Sequence, residues 1–484
     1  MNELVIDGPA ASVSATPAAH TAVDTAVGKE GAAGDRKIDL GALLDASPVR
    51  RGHVVTVATL FCVLLIDGYD LQVTGQILPA VAKALGVATA SLTGAYAVQP
   101  IGQALGGLLL SPLSDRFGRK RMLVALLALF SVATLQSVFA TSVTGFAVTR
   151  FIAGMLGGGL LPAAASLVAD ISSIKRRSTM VGIVYAGLGV GTVGASGLVA
   201  LALERIGWQG MYVVGALAPL LMIVPILLLV PESPLHLART RAPSTDILGA
   251  LRKLSILLSP DTRFGEPARR LGTGISIIEI FGGHRAAFTL VLWFTCICGL
   301  VSVTLLGLGA TFFHEFEGIS VASYAAYASV AGVTSIVAGL STGFMMDRFG
   351  RYRVIALYAL LAALSLVGLA VFPFGSAGFV AAIVIAGFFS WGTYQSLNIL
   401  TPIVYPAALR SAAVGWKGGI SRFGSSAAPL IGAALLGHQM GLKVAMCTAA
   451  APMVLVVLLA PVLAVLERRM RAHGPAAPSS ASAS

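Results

Sequence analysis

The sequence predicts an all-α integral membrane protein of twelve transmembrane helices in two six-helix halves, and three observations carry that reading. Of 484 residues, 56% are hydrophobic and only 11% charged, against about 25% charged in an ordinary soluble domain. Apolar runs of the roughly 20 residues needed to cross a hydrocarbon core recur along the chain. One short basic segment appears twice, at the same place in each half. So little polar side chain excludes a soluble enzyme, a nucleic-acid-binding protein and a disordered regulator. The net charge of +12 is therefore not a nucleic-acid signal.

The runs, in order, are 54–79, 90–111, 122–141, 145–169, 179–202, 210–230, 286–312, 321–345, 354–373, 377–404, 412–436 and 442–466. Residues 1–50 carry mixed charge and no apolar h-region, so they read as a mobile cytoplasmic tail with a short helix near 40–44 rather than a signal peptide. Residues 51–230 form the first half. Residues 231–285 form a cytoplasmic central loop with a helix-like piece at 244–258. Residues 286–466 form the second half, and 467–484 a cytoplasmic tail that ends in Pro, Ala and Ser. Lys and Arg set the orientation. Arg116, Arg119, Lys120 and Arg121 follow span two, Lys175, Arg176 and Arg177 follow span four, and Arg348, Arg351 and Arg353 follow span eight. The opposite loops offer little beyond Lys83, Arg205 and Lys443. Both termini are thus expected in the cytoplasm, with the basic surplus facing anionic lipid.

Asp115-Arg116-Phe117-Gly118-Arg119-Lys120-Arg121 recurs as Asp347-Arg348-Phe349-Gly350-Arg351-Tyr352-Arg353, 232 residues later. Two like halves in one orientation point to a rocking transporter with its site between them. The segment resembles the loop signature of the major facilitator superfamily, and the fold expected is the major facilitator fold. The resemblance implies that Asp115, Arg116, Gly118, Arg119, Asp347, Arg348, Gly350 and Arg351 hold a cytoplasmic gate. Ser111 stands where the family often has Gly, which the second copy keeps as Gly343.

Span one places Asp67 about 13 residues deep, roughly 20 Å at 1.5 Å per residue, with Asp70 three residues on and near the same face. A carboxylate at that depth costs roughly 2.5–3.5 kcal/mol on insertion scales and usually serves a pathway. Two close carboxylates suit a proton acceptor; a structural pair with a buried Arg is the alternative. Asp67-Gly68-Tyr69-Asp70 followed by Pro79 is similar to the first-span signature of the aromatic acid:proton symporter family. Tyr405-Pro406 with Arg410, Gly415-Trp416 and Arg422 resembles that family's span ten–eleven segment, in which Lys417 is an added charge. Arg150-Phe151-Ile152-Ala153-Gly154 resembles the superfamily's fourth-span Arg motif, linked there to proton transfer.

Arg150 is the cationic partner on offer for Asp67 or Asp70, unless it snorkels to the outer interface. Arg422 lies near mid-membrane, where an always-charged fork suits either a substrate carboxylate or a protein carboxylate. Arg410, at the cytoplasmic end, is a gate or lipid contact. In span ten, Gln395 and Asn398 share a face and offer amides, while Trp391 and Tyr394 could stack on a ring; helix packing is the plainer role for all four. The chain departs from the family pattern at Leu308-Gly309-Ala310, where Trp-Leu-Pro is usual, and at Ala163 and Asp170, where Asn and Glu are usual. These departures bear on the substrate.

No GxxxxGK[ST] loop for ATP occurs. The seven histidines lie mostly in tails and loops, and Cys296 and Cys298 point to different helix faces, so neither a cofactor nor a metal is expected. No catalytic constellation is present. The family's drug antiporters resemble a Gly-Pro signature in span five that this chain lacks, which argues for uptake. The expectation is a proton-coupled symporter that imports a small aromatic or related carboxylate, such as a hydroxybenzoate-like acid, working as a monomer in a bacterial inner membrane. The alternatives are a carrier of another small solute, a sugar or organic ion, or a non-transporting sensor of the same fold.

Overall fold

A computed structural model describes residues 37–173, 176–260, 262–264, 280–282, 285–405 and 410–472. The first 36 residues of the tail expected over 1–50, part of the central loop, and the C-terminal stretch from 473 lie outside them.

The first half comprises α1 (Leu40–Ala46), α2 (Arg51–Leu85), α3 (Thr89–Tyr96), α4 (Val98–Phe117), α5 (Arg119–Gln136), α6 (Val143–Ile171) and α7 (Arg177–Leu229). Two short helices follow, α8 (Pro234–Arg239) and α9 (Ser244–Lys253). The second half comprises α10 (Arg285–Gly307), α11 (Gly309–Glu317), α12 (Val321–Phe349), α13 (Arg351–Val371), α14 (Ala377–Val404), α15 (Arg410–Gly437) and α16 (Leu442–Ala472). Among the described residues nine helices are long and apolar enough to cross a membrane.

The structure refines several expected boundaries. The fifth and sixth runs are joined as α7, whose helical geometry breaks at Gly207 (φ 66°, ψ 178°). The second run bends at Ala97 between α3 and α4, and the seventh breaks at Leu308 between α10 and α11. The last helix continues past residue 466 to Ala472. Both repeated segments are tighter than loops. In each copy Asp, Arg and Phe end one helix, a single Gly turns the chain, and the following Arg starts the next helix. Gly118 and Gly350 hold φ of 102° and 89°, conformations that a side chain disfavours.

Small residues set the packing that positions span one. A Cβ on Gly102 or Gly106 of α4 would collide with backbone of Phe151 or Met155 on α6, and one on Gly154 or Gly158 of α6 with backbone of Gln99 or Gln103 on α4. The same holds between α2 and α7, where Gly68 meets Leu188 while Gly187 and Gly191 meet Phe61 and Leu65. Backbones approach this closely only where no side chain intervenes.

The halves meet at the end remote from the repeated turns. There Thr89 donates to Glu315 (2.7 Å) and Thr311 donates to the Gly75 carbonyl (3.0 Å). Midway along, a Cβ at Gly189 would touch Ile336 and one at Gly197 would touch Ser329, whereas nothing lies within 4 Å of the Gly182 position, nearer the repeated turns. The described contacts between the halves thus include pairs at the end remote from the repeated turns and midway along. Beside the first half, α1 buries Leu40, Leu43 and Leu44 with Ile247, Leu251 and Leu254 around α9, and Asp39 caps α1 through the Gly41 amide.

Candidate site between the two halves

Asp70 and Arg150 form a closed pair. Arg150 donates to Asp70 at 2.9 Å, with side-chain exposures of 0% and 3%. Gln99 donates to the other Asp70 oxygen at 2.8 Å. The remaining guanidinium donors reach Ser137 Oγ at 2.7 and 3.1 Å, and the Arg150 fork lies 4.7 Å from the centre of the Tyr212 ring. Tyr212 in turn donates to Thr74. Hence Arg150 does not snorkel; it is held in the first half, and its partner is Asp70 rather than Asp67.

Asp67 is also buried, at 5% exposure. Yet among the described residues it makes no hydrogen bond or ion pair. A Cβ on Gly157 would lie 2.9 Å from its carboxylate, so only a glycine at that point of α6 leaves it room. The charge that faces it is Arg422, within electrostatic reach from the second half.

Arg422 extends across the interface and donates to Gln103 of α4 at 2.5 Å. Five residues earlier on α15, Lys417 is 3% exposed. Its ammonium contacts Asn398 Oδ1 and lies 5.3 Å from the centre of the Tyr394 ring. Asn398 donates to Gln395 at 2.8 Å, and the Trp391 and Tyr394 rings are 5.8 Å apart. The four span-ten candidates are thus brought together, around a lysine to which sequence reasoning assigned no role. Its signal was available, as a lone ammonium inside an apolar run. Gln99 and Gln103, four residues apart on α4, gave a comparable signal. Ser137 gave none, because it sits in a short turn beyond α5.

The gate candidates divide. In the first copy Arg119 lies 3.4 Å from Asp170, which also accepts from Ser233 at 2.6 Å, and Glu232 accepts from the Lys120 amide at 3.2 Å. In the second, Arg351 lies 3.5 Å from Glu467, to which Tyr352 also donates. Arg116 and Arg348 extend over the neighbouring Phe117 and Phe349 rings, 5.6 and 5.8 Å away. Asp347 is exposed and makes no described bond to a neighbouring helix or arginine, unlike the closed-gate contact that the resemblance implies. The side chains of Asp115 and Arg410 lie outside those described.

Among the described residues no group of His, Cys, Asp and Glu could hold a metal. What the arrangement offers is an interface with buried and half-buried cations on the second half and, among the described residues, an unpaired carboxylate on the first.

The family model for the Major Facilitator Superfamily matches residues 60–416 and 318–482. A gallate transporter of Pseudomonas putida is 30% identical, covering 84% of this chain and 91% of the relative. A 4-hydroxybenzoate transporter of Pseudomonas aeruginosa is 30% identical, covering 83% and 90%. A benzoate transport protein of Acinetobacter baylyi is 27% identical, covering 84% and 88%. Among solved structures, a nucleoside transporter superposes with a TM-score of 0.63 at 14% identity, covering 87% of this chain and 100% of the other. At that identity the likeness speaks for the fold alone.

Proposed function

The chain belongs to the Major Facilitator Superfamily and is a multi-pass membrane protein, and we propose that it is a proton-coupled symporter importing a small aromatic or related carboxylate by alternating access. The observation that carries this reading is the placement of opposite charges on the two halves, within electrostatic reach of each other. Asp67, buried and without a hydrogen-bond partner among the described residues, faces Arg422 from the other half. Protonating Asp67 frees Arg422 for an incoming carboxylate, and releasing both ligands restores the attraction. Proton and anion thereby load together. The printed names of the relatives, carriers of gallate, 4-hydroxybenzoate and benzoate, agree with such a ligand. Buried cations at the interface argue against an organic cation.

Twelve spans belong to this reading. The break at Gly207 divides α7 into two, and α3–α4 and α15, which carry Gln99, Gln103, Lys417 and Arg422, complete the number beyond the apolar helices. So do cytoplasmic termini, a bacterial inner membrane and a monomeric carrier.

The test is uptake of labelled 4-hydroxybenzoate, gallate and benzoate into proteoliposomes of the purified chain. An imposed pH difference should drive accumulation, each pH unit supplying about 1.4 kcal/mol or roughly tenfold, and a protonophore should abolish it. One proton with one monoanion moves no net charge, so membrane potential should then have no effect. Accumulation unaltered by the protonophore overturns coupling; failure of every carboxylate to exchange overturns the substrate class.

A further inference from the structure

The face of α7 that meets the second half can be followed turn by turn. A Cβ at Gly197 would stand 3.8 Å from Ser329 Oγ, one at Gly332 would stand 2.6 Å from Val193 Cγ2, and one at Gly189 would stand 3.5 Å from Ile336 Cγ1. As the α7 position steps down by one turn, its partner on α12 steps up by one, so the two helices run antiparallel along this seam. The next turn of α7 on the same face is Tyr185, which comes level with Gly339 of α12. Here the pattern changes. Tyr185 is 43% exposed, and α12 presents no side chain at Gly339. A Cβ there would meet only Gln395 Nε2 and Trp391 Nε1 of α14, at 3.8 and 4.0 Å.

Tyr185 is within electrostatic reach of both Tyr394 and Arg422, so donors from both halves gather at this level. Among the described residues neither phenol hydroxyl makes a hydrogen bond, and the acceptor that the Arg422 fork has found is a neutral amide oxygen, Gln103 Oε1. A guanidinium only donates, and a phenol hydroxyl carries one donor of its own. An ionised carboxylate is the reverse, with no donor and about four acceptor sites. The surplus of donors around Tyr185 and Arg422 is the complement of such a group.

Resting on the reading of this interface as a carboxylate site, we propose that Tyr185 is a substrate-binding residue whose hydroxyl donates, from the first half, to the same carboxylate that Arg422 holds from the second. The bound anion then ties α7 to α15, which a ligand held by one half alone does not do. The hydroxyl is neutral, so it adds direction and no charge. The site keeps its balance of one proton on Asp67 for one monoanion on Arg422.

The experiment is equilibrium binding by calorimetry to the full-length purified protein, with benzoate and 4-hydroxybenzoate as probes. Tyr185→Phe keeps the ring and removes only the hydroxyl, so its thermal unfolding should match the parent's. Affinity for both probes should fall about tenfold, as for a lost hydrogen bond to a charged group. When Tyr185→Phe is combined with Arg422→Lys, the loss should differ from the product of the two single losses, because both residues serve one carboxylate. A tyrosine that acts only through packing gives no such coupling. Benzoate binding to Tyr185→Phe within about twofold of the parent, a loss confined to 4-hydroxybenzoate, or strictly multiplicative losses in the double variant would each overturn the assignment and leave the carboxylate reading standing. If neither probe binds the unaltered protein, both fall.

Discussion

The Arg150 guanidinium stands 2.9 Å from the Asp70 carboxylate with both side chains shut away from solvent, while Asp67, one helical turn earlier, has no such partner. The two aspartates of the span-one signature are therefore unlike. Asp70 is pinned by an arginine and a glutamine within its own half. Asp67 looks across the interface. A proton carrier must change its charge during the cycle, and a carboxylate fixed in a buried ion pair resists that change. On the proposed reading the mobile proton belongs to Asp67, and Asp70 keeps a structural duty.

Removing one member of the closed pair should be costly. Arg150→Gln leaves the Asp70 charge buried, a loss of roughly 3–5 kcal/mol for a broken buried pair. The double variant Asp70→Asn with Arg150→Gln removes both charges and should regain much of that. Thermal unfolding of the detergent-solubilised variants reads the difference. A single variant as stable as the parent would show that the pair bears no structural weight.

Asp67→Asn should separate coupling from exchange. The amide keeps the shape beside Gly157 but carries no titratable proton. Accumulation driven by a pH difference should collapse, while counterflow of labelled carboxylate between equal concentrations persists. Accumulation at the parental level would remove Asp67 from the coupling step.

The paired glycine turns allow a controlled comparison. Gly118 and Gly350 share a positive φ, so alanine at either should cost about 1–3 kcal/mol for the disfavoured backbone. At Gly118 the added Cβ would also stand 2.6 Å from Glu232 Oε2, whereas at Gly350 it meets nothing within 4 Å. Gly118→Ala should therefore lower the melting temperature more than Gly350→Ala. Equal shifts would mean that Glu232 moves aside without penalty.

Much of this was legible in the sequence. The duplicated segment, the apolar runs and the intramembrane charges announced the architecture, because a bilayer tolerates few arrangements of backbone and charge. Pairing was harder to read. Asp67 and Asp70 are one turn apart, and which of them meets Arg150 depends on how α2 is rotated and set along α6, which the sequence pattern leaves open. Lys417 stood out as a charge, but its contact with Asn398 depends on how α14 and α15 rotate against each other, which hydrophobic pattern alone leaves open. Ser137 was invisible as a partner, being an ordinary polar residue in a short turn that meets Arg150 only through the fold.

Arg422 should hold the substrate carboxylate, and its present bond indicates how. Its fork rests on Gln103 at 2.5 Å, a neutral acceptor in the opposite half that an anionic ligand would outcompete. Arg422→Lys keeps the charge but loses the planar two-pronged geometry, so carboxylate affinity should fall clearly. Arg422→Gln should fall further, by roughly 1.5–3 kcal/mol for a lost charge-assisted hydrogen bond, or about ten- to a hundredfold. Gln103→Ala supplies the contrast, since it removes only the acceptor that the ligand displaces. It should leave carboxylate affinity unchanged or raise it, while slowing transport if the Arg422–Gln103 bond helps return the empty carrier. Equilibrium binding of benzoate to folded, purified variants reads all three. Should both Arg422 variants bind within a factor of two of the parent, the carboxylate sits elsewhere, and Lys417, the other cation on the same helix, becomes its anchor.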